Sequence, residues 1–575
     1  MGLTTTALSA ALSAALSTAM AGPGLAQEKA AQANRPNIVV IVADDMGYSD
    51  IGAFGSEIAT PNLDALTRSG VQLTNFHVAP TCSPTRSMLL SGTDNHLAGL
   101  GSMAEEILDE QKGRPGYEGF LNNRVMSLPQ VLRDAGYHTY MAGKWHLGSR
   151  PGQLPNDKGF EKSFAMLNGG AHHFDQTGMA ERFAKANYTM DDKPIDLPAD
   201  FTYTTDYFTT QLIRQIDSGD NGSPFFGYLA YTAPHWPLQA PDRSIALFKG
   251  KYDAGYEAIR AARLKRMRAM KLIGDNVEAN PAPDLWPHWS ELDRKQQTVE
   301  ARKMEVYAAM IHEIDQNVGR LVKHLKDTGR YDNTIFVFFS DNGAEGSLPE
   351  SILAGKNREW IERNFDNSFD NLGRKGSYFG YGPAWASVSQ TPFRMMKGYT
   401  YEGGTRAPAF IAYGKWEPAR RSDQFVHVTD IAPTLLEIAG ASAPARRDGI
   451  ALAPPTGYSL VPWLSGKDAV ARPQNAAVCT ELFGRAAVWK DSWKLAHSNE
   501  PWGTGDFELY NIKADPSERT NLAADNPDKL KELKSDWDAC IQRYGIYWNK
   551  GLAPQMIYTN EREYLFRPSH IAQSH

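Results

Sequence analysis

Cys82, Pro84 and Arg86 form a Cys-x-Pro-x-Arg pattern, a cysteine followed four residues later by an arginine. Ser83 reads as an N-cap and Pro84 as the first helical residue, so the chain from Thr85 through Arg86 to Leu90 is predicted to run as a helix. Cys82 then lies at a helix N-terminus, where free N–H groups and the helix dipole favour an anion. Arg86, about one turn further on, can point back at the same spot. The arrangement suits a nucleophile working on a charged tetrahedral group. On its own, a lone cysteine reads as a small buried hydrophobe.

Two further groups sit at the ends of apolar runs: Asp44-Asp45 after Ile38 to Ala43, and Asp341-Asn342 after Thr334 to Phe339. Adjacent carboxylates repel each other unless a cation lies between them. Asp and Asn oxygens are hard ligands suited to Ca2+ or Mg2+. One such pair alone reads as a turn or cap; two pairs at two strand ends point to a metal site. In Gly143-Lys144-Trp145-His146-Leu147-Gly148, Lys144 and His146 alternate and would share a face on an extended segment. His235 stands between Pro234 and Pro237, just beyond the apolar run Phe225 to Tyr231. Lys397 precedes the loop Glu402-Gly403-Gly404 and reads in isolation as an ordinary solvated lysine.

These residues need elements to hold them. The runs at 38–43, 225–231 and 334–339 are apolar and rich in β-branched or aromatic residues, as strands buried on both faces are. Helical periods at 128–135 and 298–326 alternate with them, and a short strand is predicted at 139–141. The predicted fold is α/β: a large mixed, mostly parallel sheet flanked by helices, with ligands bound beyond the carboxyl ends of its strands. Shorter strand-like pieces near 486–489, 493–496 and 508–510 predict a smaller C-terminal α+β domain. The expected division is a signal peptide over 1–26, a linker over 27–35, a catalytic domain over 36–440 and the smaller domain over 441–575.

The chain has 575 residues, 42% of them hydrophobic, and a net charge of −6. No basic field for nucleic acid is present, so a charged substrate must be held by local cations. The basic stretch from Ala261 to Arg268 reads as a solvated helix face. With 3 cysteines there is no disulfide framework, and Cys479 and Cys540 are expected as unpaired thiols. The Ala/Ser-rich run at 7–22 reads as a secretory signal cleaved after Ala26, which implies a periplasmic or secreted protein; without that signal the protein would be cytoplasmic. No stable membrane insertion is expected.

In sequence order, Asp44-Asp45, Cys82-x-Pro84-x-Arg86, Gly143-Lys144-x-His146, Thr232-x-Pro234-His235, Ser340-Asp341-Asn342-Gly343 and Lys397-Gly398-x-x-x-Glu402-Gly403-Gly404 resemble the motifs of type I sulfatases of the alkaline phosphatase superfamily, bacterial arylsulfatases in particular. Leu509-Tyr510-Asn511, Asp515-Pro516, Glu518 and Asn521-Leu522 resemble the family's C-terminal signature. The resemblance implies an alkaline phosphatase-like fold and hydrolysis of sulfate monoesters, aryl sulfates above all. It implies that Cys82 is converted to formylglycine by a maturation enzyme. One hydroxyl of the hydrated aldehyde attacks sulfur, and the other expels sulfate by collapse to the aldehyde.

The same resemblance makes Asp44, Asp45, Asp341 and Asn342 ligands of one Ca2+ ion. Arg86 would hold the diol, Lys144 would bridge diol and sulfate, His146 would deprotonate the second hydroxyl, and His235 and Lys397 would attend the leaving oxygen. A phosphate or phosphonate ester hydrolase is the neighbouring alternative, although the Lys144-x-His146 loop favours sulfate. An unmodified relative that only binds sulfated ligands is another.

Overall fold

The computed structural model describes residues 35–549 apart from 221, 282–286, 351–355, 415–419 and 474. The expected signal segment lies outside the described residues. Four neighbouring parallel strands form the centre of the molecule: β1 (Asn37–Ala43), β2 (His138–Lys144), β3 (Phe225–Ala230) and β4 (Thr334–Ser340), in the spatial order β4-β1-β3-β2. They belong to an 11-stranded sheet that gains antiparallel neighbours toward both sides. Every residue of β1, β3 and β4 is buried, which their continuous apolar sequences require. Alternate residues of β1 face opposite sides: Val39, Ile41 and Ala43 join one hydrophobic cluster, while Ile38, Val40 and Val42 join the other.

Helices cover both faces. α1 (Cys82–Ser91) and α2 (Leu128–Asp134) lie on the second cluster, and α3 (Tyr256–Ala269) and the 34-residue α4 (Arg294–Asp327) lie on the first. Asp293 caps α4 through the Gln296 backbone N–H, and Gln296 returns the bond. The helical periods expected at 128–135 and 298–326 are thus α2 and α4. α1 opens earlier than expected, with Thr81 as its N-cap and Cys82 as its first residue. Pro84 is tolerated there because the first turn's N–H groups have no intrahelical acceptor to lose.

Toward the C-terminus, four antiparallel strands, Val478–Leu482, Arg485–Lys490, Trp493–His497 and Phe507–Asn511, form a separate sheet backed by α5 (Pro527–Tyr544). Here one expectation fails. Cys479 and Cys540 are joined by a disulfide, with their Cα atoms 6.5 Å apart. The packing of α5 across this sheet brings together thiols 61 residues apart, which spacing alone does not reveal. Among the described residues, no helix is long and apolar enough to cross a membrane.

The two sheets meet partly through charge. His96 Nδ1 lies 3.1 Å from Asp94 Oδ1, and its Nε2 lies 3.3 Å from Glu481 Oε2 of the C-terminal sheet. Burial alone would push this imidazole down, but the two carboxylates hold it up at about 9. A raised folded-state value contributes stability that is complete below the unfolded value near 6.5 and is lost as pH rises through 9, on the order of 3 kcal/mol in all. His96→Gln should therefore flatten the fall in denaturation midpoint between pH 6.5 and 9; an unchanged slope contradicts this. Replacing Cys540 with serine should cost about 4 kcal/mol in a denaturant titration, from the closed loop alone. A loss below 1 kcal/mol would show that the bond does not constrain the unfolded chain.

Candidate active site

The carboxyl ends of the four central strands converge. Asp44 and Asp45 follow β1, Asp341 and Asn342 follow β4, Lys144 ends β2, and His235 follows β3 in the segment Thr232-Ala233-Pro234-His235. Backbone bonds lock these ends together: Asp341 N–H donates to Ala43 O (3.1 Å), and Asp44 N–H donates to Ala233 O (3.1 Å). Asp45 turns the chain in the left-handed region, at φ 68°, which an aspartate tolerates better than most residues. At Gly143 the strands run so close that a Cβ would meet Ala230 O at 1.8 Å.

Cys82, at the start of α1, is buried against this edge. Its Sγ lies 3.3 Å from Asp44 Oδ1 and 3.9 Å from Asp45 Oδ1. One ligand atom each from Asp44, Asp45, Cys82 and Asp341 fall within 4.8 Å of one another. Three cations face them. Arg86 Nε donates to Asp341 Oδ2 (2.9 Å), Lys144 Nζ lies 2.7 Å from Asp44 Oδ2, and Lys397 Nζ lies 2.8 Å from Asp45 Oδ1. Lys397 also pairs with Glu345 at 3.0 Å, and at 3% exposure it is no solvated lysine. Burial, with Asp44, Glu345 and Asp341 close by, pushes the Asp45 carboxyl up to about 8 despite Lys397. Burial also pushes the Cys82 thiol well up, with Asp341 adding to it, so the encoded thiol stays protonated here.

The site passes one further test for a hard cation. Asn342 Nδ2 donates to Asp45 Oδ1 (2.7 Å), yet Asn342 Oδ1 is buried with no hydrogen-bond partner. Three buried carboxylates and an orphaned amide oxygen form a donor set that fits Ca2+ or Mg2+.

The structure therefore brings together Asp44, Asp45, Cys82, Arg86, Lys144, Asp341 and Asn342, with Lys397 and His235 also set against Asp45. His235 Nε2 is 3.5 Å from Asp45 Oδ2, and its Nδ1–H donates to Trp236 O. Burial, with Lys397 and Lys144 nearby, pulls this imidazole well down, so the ring is neutral. His146 is placed differently from expectation. β2 ends at Lys144 and His146 has φ 54°, so no shared strand face unites the two. Lys144 is fully buried, whereas His146 lines a cavity of about 470 Å3 together with Cys82, His235 and Lys397. His172, His173 and Tyr203 pack behind the site; His173 Nε2 donates to His235 O (3.1 Å).

Two participants escaped the sequence reading, Glu345 and Glu105, whose Oε1 lies 2.9 Å from His146 Nε2. Neither belongs to a pattern the sequence displays, and Glu105 lies in a single 3-10 turn, Ala104–Glu106.

The sulfatase family model matches residues 36–441. The chain belongs to the sulfatase family. A second model, that of the N-sulphoglucosamine sulphohydrolase C-terminal region, matches residues 394–542. An uncharacterized sulfatase of Schizosaccharomyces pombe is 43% identical over 530 residues, covering 89% of this chain and 94% of its own. An arylsulfatase of Klebsiella aerogenes is 42% identical over 421 residues, covering 72% of this chain and 88% of its own. The crystal structure of the PsFucS1 sulfatase from Pseudoalteromonas sp. superposes with a TM-score of 0.57 at 20% identity, covering 91% of this chain and 95% of that one, a likeness of fold. The protein is thus a sulfuric ester hydrolase with the α/β architecture of its family.

In this sulfatase the basic stretch at 261–268 is solvated only in part: Lys265 is exposed, whereas Arg263 turns inward. Arg263 is fully buried and binds Asp50 Oδ1 and both oxygens of Glu57. Asp50 Oδ2 accepts from Gly47 N–H (2.8 Å) and Tyr307 Oη–H (2.7 Å), and Tyr307 Oη also lies 3.3 Å from Asp45 O. Arg263 thereby holds the loop that carries Asp44 and Asp45. Arg263→Met, which strands Asp50 without its partner, should cost about 3–5 kcal/mol in denaturant melts. Adding Asp50→Asn should recover part of that loss, and equal stability of wild type and Arg263→Met would refute the assignment.

Proposed function

We propose that this sulfatase hydrolyses sulfate monoesters with aryl leaving groups, using a formylglycine made from Cys82 by a maturation enzyme and one Ca2+ ion held by Asp44, Asp45, Asp341 and Asn342. The observation that carries the reading is the confinement of Cys82 Sγ within 4.8 Å of three buried carboxylates. Bound there, the ion would supply positive charge to a sulfate oxygen, and the hydrated aldehyde would supply an oxygen nucleophile where the gene encodes a thiol.

The chain's own residues supply the rest. Arg86, clamped by Asp341, orients the group at position 82. Lys144 lies on Asp44 and can extend one N–H to a sulfate oxygen without leaving its carboxylate. Lys397 has N–H donors and charge for the departing oxygen. His235 enters as a neutral ring, with Nδ1–H spent on Trp236 O. His146 takes the proton whose removal frees sulfate. Fixed charge already in place around a dianionic transition state needs no reorganisation during reaction.

Met103, Leu167, Met179, Phe183 and Trp236 line the cavity beyond these groups, an apolar surface that supports an aromatic leaving group. The Cys479–Cys540 bond supports export to an oxidising compartment, periplasmic or outside the cell.

Cys82→Ala should abolish steady-state turnover, and an aldehyde-reactive probe should label the wild-type peptide containing residue 82 but not that of the variant. Persistent turnover by the alanine variant overturns the reading. A strong chelator should remove activity and Ca2+ restore it. 4-Nitrophenyl sulfate should be hydrolysed at least tenfold faster than 4-nitrophenyl phosphate at equal concentration; the reverse order would make the protein a phosphoesterase.

A further inference from the structure

We infer that Glu105 is a positioning residue for His146, fixing its imidazole with the proton on Nε2 and leaving Nδ1 as the basic nitrogen. The inference rests on the proposed role of His146 as the base.

Three observations carry it. First, His146 Nε2 lies 2.9 Å from Glu105 Oε1, and a carboxylate can only accept, so Nε2 carries the proton. Second, His146 Nδ1 is buried and has no hydrogen-bond partner in the protein, in a ring that lines the same cavity as Cys82. A buried nitrogen left with its lone pair is what a base awaiting a proton requires. Third, the backbone closes over this hydrogen bond at Gly169. A Cβ there would meet Glu105 Oε1 at 2.9 Å, His146 Cε1 at 2.9 Å and His146 Nε2 at 3.0 Å, so the absence of a side chain at 169 is what lets the pair fit.

The neighbouring acid does not serve instead. Burial, and then Glu105 itself, pushes the Glu106 carboxyl well up, so it stays protonated. Burial also acts to raise Glu105, but the imidazole beside it, with Lys144 further off, holds it at about 2, so it is ionised throughout the working range. The two histidines of the site are consequently fixed in opposite senses: His235 spends its Nδ1–H on Trp236 O, whereas His146 spends its Nε2–H on Glu105. Orientation and tautomer control of a base by a carboxylate is a recurrent device of hydrolytic sites.

The test uses full-length protein labelled with 15N-histidine, with the His146 resonances identified by their loss in His146→Asn. Wild type should show the Nε2–H tautomer, and both Glu105→Ala and Gly169→Ala should give a mixture. In kinetics with 4-nitrophenyl sulfate, Glu105→Ala should lower kcat roughly tenfold to a hundredfold, less than the about 10²–10⁴ that a positioned base contributes because the base itself is retained, with KM changed less than about twofold. Glu105→Gln, whose amide oxygen still accepts the Nε2–H, should keep the tautomer and recover much of kcat. An unchanged tautomer in Glu105→Ala, or a loss of activity matched by a lower melting temperature in both variants, overturns the inference. If wild type shows the Nε2–H tautomer but hydrolyses no sulfate ester even with Ca2+ and an aldehyde at residue 82, the reading of the reaction fails while the assignment of Glu105 stands.

Discussion

Burying Asp44, Asp45 and Asp341 side by side is the constraint from which the rest of this architecture follows. Each ionised carboxylate withdrawn from water costs several kcal/mol unless an opposite charge and hydrogen bonds replace the solvent. The replacements come from far apart in sequence: Arg86 from α1, Lys144 from the end of β2, and Lys397 from an irregular loop. Four adjacent parallel strands bring the carboxylates and Lys144 to one edge because crossover connections place all their carboxyl ends on the same side. Counting Glu345, four carboxylates meet three cations, so a divalent cation would leave the centre positive, as a site for a sulfate group should be.

The small C-terminal sheet matters through that same balance. Lys397 sits in a loop with no regular structure of its own, and the sheet fastens it on several sides. Arg485 Nη1 donates to Gly398 O (2.8 Å), Arg394 reaches Tyr510 Oη and Trp502 O, and Glu518 accepts from the Glu402 N–H (2.7 Å). Lys494 in turn neutralises Glu402 at 3.0 Å. The run from Leu509 to Leu522 thus helps to hold in place the loop that sets Lys397 against Asp45.

Much of this was legible before any coordinates. The central strands announced themselves because burial on both faces demands unbroken apolar sequence, and their polar ends marked the site. What stayed hidden depends on distances that sequence does not carry. Arg263 looked like one cation of a solvated basic stretch, yet it is fully buried between Asp50 and Glu57. The pairing of Cys479 with Cys540 follows from how α5 docks, not from spacing. His146 departs from strand alternation because β2 stops two residues earlier, and Glu105 sits in a single 3-10 turn, Ala104–Glu106, too short for periodicity to predict.

Cys82 itself imposes an order in time. At 1% exposure, at the first position of a helix pressed against two strand ends, its sulfur is out of reach of any other protein's catalytic groups. On the reading proposed above, the maturation enzyme would have to meet an extended, unpacked chain, before α1 docks onto the sheet. Chemistry at residue 82 and collapse of the central core would then be rival events, with a chain that folds first locked as a thiol.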